Sequence, residues 1–153
     1  MEVKLLSGAL GAEIEDIDLK KVTSDNFKII NDLLLEHKVI FFRNQELSPE
    51  SHMNLAESLG EIDPGHPVYP HVEGYQSIVL LKNDANNKPD TNDWHKDLTF
   101  KPNPPFASIL HGIKVPNVGG DTLWASMSSA YDQLSEGLKN QLENLEAIHD
   151  MGT

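Results

Sequence analysis

Between residues 24 and 37 the spacing of apolar residues changes from that of a strand to that of a helix, and this switch narrows the fold most. Before it, Val3 to Leu6 and the alternation Ala12-Glu13-Ile14-Glu15-Asp16-Ile17 read as short strands with one wet face. From Ser24, the expected N-cap, the residues Phe27, Ile30, Leu33, Leu34 and His37 recur at helical spacing. Lys38-Val39-Ile40-Phe41-Phe42 then reads as a buried strand, too short for another helix. Ser48 and Pro49 start a second helix, with Met53, Leu55, Ala56 and Leu59 on its inner stripe and Gly60 as its stop.

The remainder is punctuated by Pro and Gly. Asp63 to His71 is a loop or edge strand, Ser77 to Leu81 a strand, and Lys82 to Asp93 an aperiodic connection of a length typical of a lid, a binding loop or disorder, and a candidate lid. Trp94 to Phe100, Phe106 to Val115 and Asp121 to Trp124 read as strands, and Ser128 to Leu134 and Ser135 to Leu145 as helices. These elements make an α+β chain, mostly β with flanking helices, and its 153 residues suit about one domain.

Charge and composition exclude several functions. Asp and Glu number 24 against 12 Lys and Arg, and the formal charge of -12 repels phosphate backbones and anionic lipid surfaces. Nucleic acid and membrane partners are therefore not expected. No apolar run approaches the ~20 residues that span a bilayer, no signal peptide is recognisable at the N-terminus, and the chain contains no Cys. A cytoplasmic location is the expectation. Without thiols, any metal must be held by His, carboxylate or water. Arg43 is the single Arg, so the best clamp for an anionic ligand is scarce, and that residue is expected to end its strand in an ion pair.

His95 and Asp97 are the pair most suited to chemistry. Two residues apart in an extended segment, they project from one face, where an imidazole nitrogen and a carboxylate oxygen can meet one cation. They would make two-thirds of a two-His-one-carboxylate face, which leaves positions on Fe(II) open for a cosubstrate and O2. An H-x-D tripeptide also arises by chance as a surface His beside a solvated Asp. Two other classes therefore remain: a noncatalytic jelly-roll binding module, and a Zn-dependent hydrolase using His95, Asp97 and a neighbour such as His149. His66 and Tyr69 can equally pack a Pro-rich loop, Thr122 can be a plain strand residue, and Trp94, Phe100 and Trp124 are core candidates. His37, His52 and His111 fall in helix or strand patterns and carry no assigned function.

The surroundings of the pair favour the oxygenase. Trp94, Leu98, Thr99 and Phe100 around it, and the downstream Gly119-Gly120-Asp121-Thr122-Leu123-Trp124, resemble the taurine dioxygenase (TauD/TfdA) family of Fe(II)- and 2-oxoglutarate-dependent oxygenases. Gly8 to Ile17, Val39 to Gln45, Leu59-Gly60-Glu61 and the His66-Pro67-Val68-Tyr69-Pro70-His71 segment follow in the family's order. The resemblance implies a partial double-stranded β-helix, a cupin-like jelly roll whose C-terminal strands are missing, with residues 1–153 as the N-terminal part of one dioxygenase domain. It implies His95 and Asp97 as iron ligands, Thr122 as a contact to 2-oxoglutarate, and His66 and Tyr69 as holders of a small sulfonate such as taurine. Thr91 stands where the family offers an Asn to the substrate amine, and Leu98 replaces a smaller apolar residue at the pocket wall. The implied reaction consumes O2 and 2-oxoglutarate and releases succinate, CO2, an aldehyde and sulfite. The second His and the Arg that clamps 2-oxoglutarate are expected beyond Thr153, and the fragment alone is expected to be inactive. A homo-oligomer is left open for the full-length enzyme.

Overall fold

The computed structural model describes residues 1–66, 68–84, 86, 88 and 93–150, which fall into two compact units. The first comprises Met1–Leu47 and Leu110–Glu146, the second Ser48–Ile109 with the chain from Ala147 on.

In the first unit, β1 (Glu2–Leu5) pairs antiparallel with β2 (Ala12–Glu15), placing Val3 opposite Ile14 and Leu5 opposite Ala12. β2 pairs parallel with β3 (Ile40–Phe41). Parallel neighbours need a long connection, and helix α1 (Ser24–His37) supplies it. Its N-cap is Thr23 rather than Ser24: the Thr23 hydroxyl accepts from the Asn26 N–H, while the Asn26 side chain accepts from the Thr23 N–H. That reciprocal pairing needs a partner three residues on, which Thr23 has in Asn26. The apolar core gathers Ala12, Ile14, Leu19 and Ile30. A short 3-10 turn, Leu19–Lys21, is fastened by Gln45, whose side chain accepts from Leu19 N at 2.9 Å and donates to Ile17 O at 3.0 Å. Arg43 meets Glu13 at 3.4 Å and lies over the Phe41 ring, the ion pair expected of it.

Two short helices complete this unit, α2 (Met127–Asp132) and α3 (Glu136–Leu142), capped by Ser126 and Ser135. Trp124 packs edge-on against Phe41, with centroids 5.2 Å apart.

In the second unit, helix α4 (Pro49–Leu59) starts and stops where Ser48, Pro49 and Gly60 predict, and it buries Leu55. It packs against β5 of a hairpin made by β4 (His71–Val72) and β5 (Tyr75–Val79). No helix among the described residues is long and apolar enough to cross a membrane.

Three expected strands are not formed. Residues 97–100 make a turn, and neither 106–115 nor 121–124 is paired into a sheet. A strand is defined by its hydrogen-bonded neighbour, and alternation within one segment does not guarantee that neighbour. Trp94, expected in the core, is 71% exposed.

Candidate functional site

The His95 and Asp97 side chains do meet, by a route other than the pleat of a strand. The chain turns at residues 97–100, Leu98 takes a φ of 53°, and Lys101 N–H donates to the Leu98 carbonyl at 3.0 Å. The turn leaves His95 Nε2 3.4 Å from Asp97 Oδ1.

Hydrogen bonding fixes the roles of the atoms. His95 Nδ1 lies 2.9 Å from the Asp93 carbonyl oxygen. A carbonyl oxygen only accepts, so Nδ1 carries the proton and donates it. In the neutral ring Nε2 is therefore a lone pair directed toward a carboxylate oxygen that also only accepts. Two acceptors facing each other make a place that a cation can bridge. Asp97 Oδ2 accepts from Ser108 Oγ at 3.2 Å, so Oδ1 is the oxygen left facing the imidazole. With side chains 55% and 61% exposed, the pair's own attraction is worth roughly 0–1 kcal/mol. Its geometry thus comes from the turn and the flanking hydrogen bonds. A neutral imidazole nitrogen and a carboxylate oxygen suit Fe(II), and the exposure leaves room for further ligands.

His66 and Tyr69 lie together in the same unit, with ring centroids 4.6 Å apart. Val68 N–H donates to His66 Nδ1 at 3.2 Å, which makes Nε2–H the donor of the neutral ring, a group matched to an anionic oxygen. Gly65 sets the loop: its φ is +103°, and a Cβ there would stand 2.4 Å from the Gln76 carbonyl oxygen. Asp63 links this loop to the segment after the His95 turn, receiving Gly65 N–H at 3.2 Å and pairing with Lys101 at 2.5 Å.

Thr122 belongs to the first unit, is exposed, and follows Gly119 and Gly120, both at positive φ as the expected turn requires. Thr91 lies outside the described residues, as do Pro67 and, within the expected lid, Ala85, Asn87, Pro89, Asp90 and Asn92. His149 Nδ1 sits 2.9 Å from Thr99 Oγ1, and no three His, Asp or Glu among the described residues gather to hold a metal. The zinc site with His149 as third ligand is therefore not formed. His52 and His111 hydrogen-bond to the carbonyls of Ile109 and Gln45. Ser108, Asp63 and Lys101 were not legible as site neighbours. The available signal was the Pro102, Pro104 and Pro105 cluster, which marks a reversal able to return distant residues to the pair.

The chain belongs to the taurine catabolism dioxygenase TauD, TfdA family, whose family model matches residues 2–153. It is 40% identical to an alkylsulfatase of Acinetobacter baylyi over 97% of this chain and 47% of the relative. To an alpha-ketoglutarate-dependent sulfate ester dioxygenase of Pseudomonas putida it is 38% identical, over 97% and 49%. A crystal structure described as a putative alpha-ketoglutarate-dependent taurine dioxygenase from Burkholderia xenovorans superposes with a TM-score of 0.81 at 37% identity, covering 94% of this chain and 51% of that one. The chain thus spans about half the length of the curated relatives it matches. The superposition bears out the expected fold class, small sheets and flanking helices of a jelly-roll dioxygenase.

Proposed function

We propose that this chain supplies the metal-facing and anion-facing residues of an Fe(II)- and 2-oxoglutarate-dependent dioxygenase acting on a small sulfonate or sulfate ester. The observation that carries the reading is the facing pair of acceptors, His95 Nε2 and Asp97 Oδ1, 3.4 Å apart. Family membership and the sulfate-ester activities named for the relatives support it.

His95 and Asp97 would hold Fe(II), with the Asp93 carbonyl keeping the imidazole in the right tautomer. Bound there, Fe(II) supplies the O2 chemistry that couples decarboxylation of 2-oxoglutarate to hydroxylation of the substrate. His66 Nε2–H would donate to an oxygen of the SO3 group, with the tilted Tyr69 ring packed against the imidazole to orient it. Thr122 would offer its hydroxyl to 2-oxoglutarate, and Thr91 would face the polar end of the substrate. Hydroxylation of the carbon that bears the sulfur group gives a product that splits into an aldehyde and sulfite. From a sulfate ester the corresponding split gives an aldehyde and sulfate. Taurine is the finer reading for the sulfonate, and the two curated relatives named above favour the ester.

Metal binding and product release test the proposal. Anaerobic Fe(II) with 2-oxoglutarate should give a weak visible band, and Asp97→Ala should abolish it. Sulfite from taurine or sulfate from an alkyl sulfate, released by the full-length enzyme, then identifies the substrate. Tightly held zinc, or Fe(II) binding that survives Asp97→Ala, would sink the assignment.

A further inference from the structure

We propose that Ser108 is a positioning residue for the metal-facing carboxylate: its hydroxyl holds Asp97 Oδ2, so that Oδ1 alone is presented beside His95 Nε2. This rests on the reading of His95 and Asp97 as metal ligands.

A carboxylate on an exposed side chain turns easily about its last bond, because that torsion is broad and roughly two-fold. Asp97 is 61% exposed, so packing does not restrain it. The restraint comes from Ser108 Oγ, which donates to Oδ2 at 3.2 Å. Serine reaches Asp97 from 11 residues along the chain, across the reversal that contains Pro102, Pro104 and Pro105. The bond is thus a product of the tertiary path rather than of adjacency in sequence. With one oxygen engaged by a hydroxyl, the other is left to a cation as a single ligand atom. Asp93 plays the matching part for the imidazole through its carbonyl oxygen. Each ligand then has one atom tied back to the protein and one presented, the arrangement in which hydrogen-bonded partners typically contribute 10–100-fold to metal affinity.

Because Ser108 is exposed, removing its hydroxyl leaves no buried group unsatisfied, and the fold should tolerate the change. Mn(II) serves as the probe, with the free ion followed by electron paramagnetic resonance in titrations of the chain. Ser108→Ala should raise the Mn(II) dissociation constant about 10-fold. The metal-free melting temperature should stay at the wild-type value, and Ser108→Thr should restore affinity. The inference is overturned if Ser108→Ala binds as the wild type does, if Ser108→Thr loses as much as Ser108→Ala, or if lost affinity merely tracks lost thermal stability. Asp97→Ala separates the two levels. If it abolishes binding while Ser108→Ala does not weaken it, the role of Ser108 fails alone; if it leaves binding intact, the metal reading fails and this inference with it.

Discussion

Residues 1–47 and residues 93–126 hold their side chains by different means. In the first stretch Ala12, Ile14, Leu19 and Ile30 are buried between paired strands and a capped helix. In the second, Trp94, Phe106, Ile113 and Val118 are 63–90% exposed, and no residue is paired into a sheet. Geometry in the first is set by burial, where one aliphatic side chain contributes about 1.5–3 kcal/mol. Around His95 and Asp97 it is set by a hydrogen bond accepted by the Asp93 carbonyl and by bonds donated by Ser108 and Lys101, each of a kind worth about 1 kcal/mol. The metal-facing residues therefore stand in a stretch that relies less on packing than residues 1–47 do.

The largest test of this contrast is a pair of truncations. Ile14→Ala, at a site 2% exposed, should lower the unfolding free energy by about 3 kcal/mol. His95→Ala should change it by no more than about 0.5 kcal/mol. Urea denaturation measures both, and equal losses would erase the distinction.

A smaller effect is expected at Gly65, where a loop in the second unit depends on backbone conformation. Gly65→Ala places a Cβ against the Gln76 carbonyl at a φ of +103° and should cost about 2 kcal/mol. Hydrogen exchange should quicken at the amides of 63–69 before those of α4; unchanged protection would show that the loop needs no glycine.

The smallest effect concerns Asp18. The Lys20 backbone N–H holds its carboxyl below the ordinary carboxylate range, with Lys21 adding to the shift. A depressed pKa in the folded state lends stability above the unfolded value and loses it as pH falls through the folded one. The Leu19–Lys21 turn should therefore loosen only on acidification below the usual carboxylate range. An NMR titration of Asp18 with a midpoint at the unstructured-peptide value would remove this prediction.

The same contrast explains what was legible in the sequence. α4 was readable because period, cap and stop are local, as Ser48, Pro49 and Gly60 show, and α1 was readable by its period, with its cap one residue earlier than Ser24. The 94–100 stretch was not, since the same alternation fits a strand or a segment that Leu98 turns back, and only the tertiary path decides. Alternation alone would bring His95 and Asp97 together on a pleat, whereas a turn produces their contact. The resemblance singles out His66 and Tyr69 as substrate holders, and the contact between their rings is a finding of the structure. Ser108 was not, because a contact across 11 residues leaves no periodic trace.

Leu98 gives the turn a further meaning. A residue with a Cβ loses roughly 1–2 kcal/mol in the left-handed region, and Leu98 sits there at a φ of 53°, immediately after Asp97. The molecule accepts that loss once, during folding, at the position that sets the direction of its neighbouring acid. On the proposed reading, an arriving ion would meet an acid whose direction the fold has already set.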